Sequence, residues 1–299
     1  MIPKKKADSK KYLQEIFMSE KINLKEFACF GVAGNFTGHL EQAGEAADFK
    51  NVKTAEINAP KALFPTYIPG NDGTTPEFLH VFPFSSESIV FPKGEEKLQI
   101  EPECAVLFKA DWNEGKAVSL TPLAFGASND CSIRKEGAKK ISLKKNWGNC
   151  TKGFAAKTIP LAEFSDKSVL AGYRIASFLV RGGNVYPYGE DSAVRDYSYI
   201  WQKLSDWLLE KLNSQKDEGP AEDIHSYLAA AGYPENILIS IGATRYTEFG
   251  MNNFLKDGDK AVVVLYPENS YTAEEIIQRV KENRLDEEDI SALVQTVVC

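Results

Sequence analysis

The segment Leu98-Gln-Ile-Glu-Pro-Glu-Cys-Ala-Val-Leu-Phe108 decides the fold of this chain. It alternates apolar and polar residues and then becomes continuously apolar, which predicts a strand entering a packed core. Residues two apart on a strand share a face, so the carboxylates of Glu101 and Glu103 are expected to converge. Like charges at close range repel, and a hard divalent cation with oxygen ligands would remove that cost. For this pair considered by itself, the alternative to a metal site is two carboxylates on a solvent-exposed face of the strand.

The composition is that of an ordinary globular protein. The 299 residues are 43% hydrophobic and 26% charged, enough for one large domain or two modest ones. The net charge of −7 argues against nucleic acid as the main partner, because phosphate binding needs a basic surface. No apolar run approaches the ~18 residues of a membrane span. The first eleven residues are locally basic without the apolar segment of a signal peptide, so we expect a solvated terminus.

The five cysteines are odd in number and form no CxxC pair, which argues against a zinc site and a disulfide framework. This usage predicts a reduced, cytoplasmic location.

Periodicity along the chain predicts an α+β protein whose core is mostly β. Strand-like runs dominate residues 78–180, and further buried strands are expected near both ends of the core. The predicted strands outside that region are 27–33, 237–242 and 260–266, and the predicted helices are 8–27, 197–213, 272–283 and 286–297.

Five ordered segments carry a resemblance to a known family. Glu101-Pro-Glu-Cys-Ala-Val106 is followed by Asn129-Asp-Cys-Ser-Ile-Arg134 and Thr151-Lys-Gly-Phe154. Gly31-Val-Ala-Gly-Asn-Phe-Thr-Gly-His-Leu40 lies upstream, and Ile237-Leu-Ile-Ser-Ile-Gly242 with Leu255-Lys-Asp-Gly-Asp259 lies downstream. Together they resemble the fumarylacetoacetate hydrolase superfamily over roughly residues 27–266. The resemblance implies a mixed β-roll, with a helical extension at 1–26, a catalytic domain at 27–271 and a helical tail at 272–299.

The resemblance implies a metal site and a substrate class. Glu101, Glu103 and Asp130 would hold Mg²⁺, with Mn²⁺ or Ca²⁺ as alternatives. The substrate would be a small 2-oxo or 1,3-dicarbonyl acid, whose enolate the metal stabilises. Hydrolytic C–C cleavage, decarboxylation and keto–enol isomerisation share that step and stay open. A homodimer is the expected assembly.

The resemblance also assigns roles to individual side chains. His39 would belong to a lid and act as a general base. Lys152 would supply positive charge to the substrate, an ordinary surface lysine being its alternative. Arg134 would pair with a carboxylate either of the substrate or of the protein.

Two departures from the family pattern concern the substrate side. The family usually has a glutamate three residues after the histidine, and this chain has Gln42, which cannot stabilise an imidazolium by charge. Glu41 or Glu45 would have to replace it. Gly242-Ala-Thr-Arg245 stands where the family has Gly-Thr-Pro, so Thr244 would supply the substrate hydroxyl, with Arg245 as an added cation. A non-catalytic metal- or ligand-binding protein of the same fold is the rival hypothesis.

Overall fold

The protein is built on two β-sheets and a small two-stranded ribbon. The computed structural model describes residues 22–46, 49, 52, 54, 56–70, 73–135 and 137–299. The mostly β, α+β architecture expected from the sequence is confirmed. The predicted helix at 8–27 lies largely outside the described residues, and of its last residues Leu24–Glu26 form a short 3₁₀ turn. No helix in the described part of the chain is long and apolar enough to cross a membrane.

The larger sheet mixes parallel and antiparallel strands. Its order is β2-β1-β13-β6-β7-β9-β3, with β10 paired to β7. β1 is parallel to β13, and β3 to β9, while the other neighbours are antiparallel. The strands are β1 Ala28–Ala33, β2 Ala62–Tyr67, β3 Phe84–Ser85, β6 Pro102–Asn113, β7 Lys116–Asn129, β9 Lys152–Phe154, β10 Ile159–Pro160 and β13 Asn236–Ala243.

The second sheet has the order β12-β11-β14-β15-β4 and is antiparallel except for its last pair. A separate ribbon pairs β5 with β8. These strands are β4 Ser88–Val90, β5 Leu98–Gln99, β8 Ser132–Ile133, β11 Tyr173–Arg181, β12 Asn184–Ala193, β14 Lys260–Pro267 and β15 Ser291–Val298.

The main core lies where the two sheets meet. Val106 and Phe125 of the larger sheet share one buried cluster with Ile175, Val263 and Leu293 of the second. The ring of Phe125 meets that of Tyr173 edge to face at 4.9 Å. Burial of this apolar surface is the main stabilising contribution expected for such a fold.

Five α-helices complete the described structure. They are α1 His39–Gln42, α2 Trp201–Ser214, α3 Ile224–Ala230, α4 Glu248–Asn252 and α5 Ala273–Glu282. α2 contributes Leu204 and Leu208 to the main core. α5 covers the other face of the second sheet with Ile276 and Val280. The predicted helix 197–213 is therefore confirmed, with its start four residues later.

The C-terminal helix prediction is half correct. The helix predicted at 272–283 is α5, which Thr272 starts with a capping box to Glu275. The helix predicted at 286–297 is wrong, because Ser291–Val298 is strand β15, lying between β14 and β4. Burial alternates along this segment, which is the period of a strand.

Candidate functional site

The β6–β7 hairpin brings the three predicted metal ligands to one point. Pro102 pairs with Asn129, so Glu101, just before β6, lies beside Asp130, just after β7. The Asp130 amide donates to the Glu101 carbonyl at 3.0 Å. Ligand oxygens of Glu101, Glu103 and Asp130 all lie within 4.8 Å of one another, and all three residues are buried. The convergence expected from the sequence is present.

A bulge in the neighbouring strand β13 orients Glu103. The register between β13 and β6 shifts between Ser240 and Ala243. The shift lets the Gly242 amide donate to Glu103 Oε2 at 2.8 Å. Gly242 has φ +122°, and a Cβ there would lie 3.0 Å from Cβ of Asn35. Glycine is required at this position for both its backbone angle and the close approach.

Lys145 lies between two of the carboxylates. Its Nζ is 2.6 Å from Glu101 Oε2 and 2.7 Å from Asp130 Oδ2, and it lies over the ring of Phe64. The lysine ends the short 3₁₀ turn Ile141–Lys144 and is fully enclosed. One ammonium therefore neutralises charge on both carboxylates. The region was expected to be strand-like, and Lys145 was not among the predicted site residues.

Lys152 holds the other side of Asp130. Its Nζ lies 3.1 Å from Asp130 Oδ1 and donates to the carbonyl of Cys131. Lys152 is buried, not an ordinary surface lysine, and desolvation lowers the pKa of its ammonium.

Arg134 is fully occupied by protein groups. It pairs with Glu101 Oε1 at 2.8 Å and with Glu45 Oε1 at 2.6 Å. Its Nε donates to Gln99 Oε1 at 2.6 Å, and Nη2, which also pairs with Glu101, donates to the Tyr246 hydroxyl at 2.7 Å. Of the two roles left open for this arginine, pairing with protein carboxylates is the one that the structure displays.

The carboxyl groups of the triad differ in their electrostatics. Desolvation, reinforced by the nearby charges of Asp130 and Glu101, raises the pKa of Glu103 well above its usual range. Burial would also raise the pKa of Glu101, but the charges of Lys145 and Arg134 outweigh it and hold that pKa low. Glu103 is thus the carboxyl that gains most from an added cation.

His39 faces the triad from α1. Its Nδ1 lies 2.8 Å from the Thr244 carbonyl, which can only accept, so Nδ1 carries the hydrogen and Nε2 the lone pair. Desolvation lowers the pKa of the imidazole, which favours the neutral base. A small cavity of about 10 Å³ is lined by His39, Glu101, Glu103, Lys145 and other residues. That space holds about one water molecule.

Two of the predicted partners of His39 have other contacts. Gln42 accepts from the Tyr246 amide at 2.8 Å and donates to the Tyr246 carbonyl at 3.2 Å, so it fixes backbone instead of imidazole. Glu45 is buried and lines the same cavity as His39, where it pairs with Arg134 and Lys144, the latter at 2.9 Å. Glu41 is exposed.

The two substrate-side residues predicted after β13 differ in position. Thr244 is buried beside His39, which its carbonyl contacts, and its Oγ1 lies close to Gly189 without a hydrogen-bond partner among the described residues. Arg245 is 46% exposed and pairs with Glu190 at 2.7 Å. The structure therefore does not bring Arg245 to the site.

A larger cavity lies on the far side of Glu45. Its volume is about 530 Å³, within the ~300–1,000 Å³ range of small-molecule pockets. Four of the described residues around it are cationic, namely Lys97, Arg134, Lys135 and Lys144. Such a lining suits an anionic ligand.

The donor set fits a hard divalent cation. Both Asp130 side-chain oxygens and Glu101 Oε1 are buried and receive no aligned hydrogen bond from the residues that the structure describes, although cationic nitrogens lie close to them. Two oxygens on opposite sides of Mg²⁺ are ~4.2 Å apart, close to the span of this triad. Carboxylate oxygens are the ligands that Mg²⁺, Mn²⁺ and Ca²⁺ prefer.

Fold and site together define a class of protein: a mixed β-roll with a buried Glu-Glu-Asp cluster that could bind a divalent metal. This is the fold expected from the resemblance to the fumarylacetoacetate hydrolase superfamily, and that expectation is confirmed. By sequence the chain belongs to the family of unknown function DUF5718, whose model matches residues 45–297. No curated protein matches the chain in sequence.

Solved structures with a similar fold share little sequence with this chain. Cg1458, solved with an inhibitor, is 15% identical with a TM-score of 0.54, over 91% of this chain and 76% of its own. A 2-keto-3-deoxy-D-arabinonate dehydratase complexed with magnesium and 2,5-dioxopentanoate is 15% identical with a TM-score of 0.52, over 91% and 72%. A 2-hydroxyhepta-2,4-diene-1,7-dioate isomerase from Mycobacterium marinum is 13% identical with a TM-score of 0.50, over 91% and 74%.

Proposed function

We propose that this protein is a divalent-metal-dependent enzyme acting on a small 2-oxo or 1,3-dicarbonyl carboxylic acid. The observation that carries the proposal is the buried convergence of Glu101, Glu103 and Asp130, with His39, whose Nε2 is unprotonated, lining the same small cavity as the two glutamates. A structural neighbour with magnesium and a dioxo acid bound supports the same class of ligand. Mg²⁺ or Mn²⁺, when bound, would act as a Lewis acid toward an enolate oxygen.

The residues of the chain would divide the remaining work. His39 Nε2 would take a proton from, or return it to, the carbon next to the carbonyl. Lys152 would fix Asp130 by its charge. The cationic cavity beside Glu45 would take the carboxylate of the substrate, with Lys97 and Lys135 on its wall.

The contacts of His39 favour decarboxylation over hydrolysis, because loss of CO₂ forms the enolate without a base. Activating a water leaves an imidazolium, and a carboxylate hydrogen-bonded to Nδ1 would stabilise it. Here Nδ1 donates to the neutral carbonyl of Thr244, and Gln42 is engaged with Tyr246. Glu45 lines the same cavity, and its charge raises the pKa of His39. Desolvation lowers that pKa by more, so the imidazole stays neutral more readily than a free one.

A non-catalytic binding protein of this fold is the second candidate. The observation that favours it is the closed cavity over the triad, which has room for about one water and none for a keto acid. Catalysis would require the segment around α1 to move.

An ultraviolet assay with added Mg²⁺ or Mn²⁺ separates the two candidates. The substrates are a panel of acylpyruvates, oxaloacetate and fumarylpyruvate, and Glu103→Gln is the matched control. We expect metal-dependent turnover of at least one compound by the wild type, reduced by about 100-fold or more in Glu103→Gln. Metal binding without turnover across the panel would favour the non-catalytic protein. Unchanged metal binding in Glu103→Gln would refute the site itself.

A further inference from the structure

We propose that the Lys145 ammonium and a divalent cation compete for the carboxylates of Glu101 and Asp130, so that Lys145 acts as a tethered cation that limits metal affinity. The inference rests on the proposed function only in taking the triad as the metal site. It concerns what occupies that site before the metal arrives.

The distances show that Lys145 contacts two of the three carboxylates a metal would need. Its Nζ lies 2.6 Å from Glu101 Oε2 and 2.7 Å from Asp130 Oδ2. An oxygen lone pair directed at an ammonium is not available to a second cation. Two cations held within a few ångströms in a buried site also repel strongly. Full occupancy of both carboxylates by lysine and metal together is therefore disfavoured.

The charges around the triad lead to the same conclusion. Among the described residues, three cations contact two of its carboxylates, those of Glu101 and Asp130, namely Lys145, Lys152 and Arg134. These two carboxylates are thus neutralised without any ion. A divalent cation adds two positive charges to a buried, balanced group, and burying unpaired charge is costly. Withdrawal of one resident cation reduces that cost.

Lys145 is the resident cation best able to withdraw. Arg134 is held by four groups, which belong to Glu101, Glu45, Gln99 and Tyr246. Lys152 is tied to the Cys131 carbonyl as well as to Asp130. Among the described residues, the ion pairs of Lys145 Nζ go to the Glu101 and Asp130 carboxylates, and its one longer hydrogen bond, at 3.5 Å, goes to the Asp130 carbonyl. A metal that takes those two carboxylates removes both short contacts and leaves the long one.

The cavity offers the displaced ammonium a new acceptor. Glu45 lines the same small cavity as Lys145 and is the described lining carboxylate that lies outside the triad. Lysine has a flexible four-carbon stem, so its head group can swing without movement of the backbone. On metal uptake the divalent cation would then replace the Lys145 ammonium at Glu101 and Asp130. The head group of Lys145 would move toward Glu45, on the α1 side of the site.

The test measures Mn²⁺ binding to the metal-free full chain by the loss of the free-ion EPR signal. Lys145→Met removes the charge and keeps the stem, and Lys145→Gln keeps an amide donor. Lys140→Met is the matched control, because Lys140 precedes the same 3₁₀ turn and pairs with Asp217, outside the triad. We expect both Lys145 variants to bind Mn²⁺ about tenfold or more tightly than the wild type, since the competing cation is gone. Lys140→Met should stay within about threefold of the wild type, the scale of a contact outside the competing set.

Thermal unfolding with and without Mn²⁺ gives a second readout. Lys145→Met should melt lower than the wild type without metal and gain more from Mn²⁺, because the ion replaces the missing charge. A variant that folds only when Mn²⁺ is added would also support competition. Folded Lys145 variants with wild-type or weaker affinity would overturn it, as would failure of both variants to fold even with Mn²⁺. Failure of Glu103→Gln to weaken Mn²⁺ binding would count against the triad as the metal site, a separate result.

Discussion

At the scale of single residues, Gly242 decides whether Glu103 can face the other two carboxylates. Its amide donates to Glu103 Oε2 at 2.8 Å, and the bulge that aims this amide depends on φ +122°. A side chain here would also press on Asn35, whose amide donates to the Ile241 and Tyr199 carbonyls. One glycine thus links the metal ligands to the start of the α1 segment.

We therefore predict that Gly242→Ala costs about 1–3 kcal/mol of unfolding free energy and weakens Mn²⁺ binding. The strain comes from the positive φ and from the 3.0 Å approach to Asn35, and the lost amide alignment releases Glu103. Urea unfolding and Mn²⁺ titration measure the two effects. Gly258→Ala is the control, because Gly258 has φ +78° and a Cβ there would meet no described residue within 4 Å except its chain neighbours. It should lose stability without losing Mn²⁺ affinity, and equal binding losses in the two variants would contradict the assignment.

The sequence predicted the triad but not the cation between its members. Glu101 and Glu103 follow from strand period alone, and Asp130 follows from the resemblance to a known family. Lys145 reaches Glu101 across 44 residues of sequence, from a 3₁₀ turn whose direction depends on tertiary packing. The paired lysines at 139–140 and 144–145 were visible as a charge run. A charge run usually marks a solvated surface, and only the fold shows that Lys144 and Lys145 are buried.

At the scale of elements, the segment from α1 to Glu45 closes the site. α1 is a single helical turn that starts after Gly38 at φ +86°, and Gly44 follows it at φ +72°. Its inner side carries His39 and its end carries Glu45, whose carboxylate pairs with Arg134 and Lys144. A short helix has little stability of its own, so these ion pairs and the Gln42 contacts hold it closed.

We predict that Glu45→Gln loosens this segment. Removing the charge breaks two buried ion pairs, so amide hydrogens of residues 39–45 should exchange about tenfold or more faster. Hydrogen–deuterium exchange with peptide-level mass spectrometry measures the change. Glu41→Gln is the matched control, because Glu41 lies on the same turn and is exposed. Similar exchange rates in Glu45→Gln and the wild type would show that the ion pairs do not hold the segment.

Strand β15 shows why element type was mispredicted at the C-terminus. The sequence Ser291-Ala-Leu-Val-Gln-Thr-Val-Val298 is rich in β-branched residues, which favour strands. It follows a true amphipathic helix and an acidic run, and that context suggested a second helix. The buried face of the strand includes Ser291 and Gln295, which are polar, so the apolar alternation is incomplete. Tertiary pairing with β14 and β4 decides the outcome.

At the scale of the whole molecule, Gln295 connects the second sheet to the proposed metal site. Its Oε1 accepts from Asn129 Nδ2 at 3.0 Å, and its Nε2 lies 3.2 Å from the Lys152 carbonyl and 3.0 Å from that of Ser85. Asn129 in turn accepts from the Glu101 amide at 3.1 Å. A strand near the end of the chain therefore supports two strands that carry site residues.

We predict that Gln295→Leu destabilises the fold by about 2–4 kcal/mol and also weakens Mn²⁺ binding by the protein that remains folded. The substitution leaves buried carbonyls and the Asn129 amide without partners, so Asn129 no longer fixes Glu101. Gln278→Leu on the exposed side of α5 is the control and should leave both properties nearly unchanged. Denaturant unfolding reports stability, and Mn²⁺ titration well below the unfolding transition reports the site. A large stability loss with wild-type Mn²⁺ affinity would show that the second sheet supports the fold without tuning the metal centre.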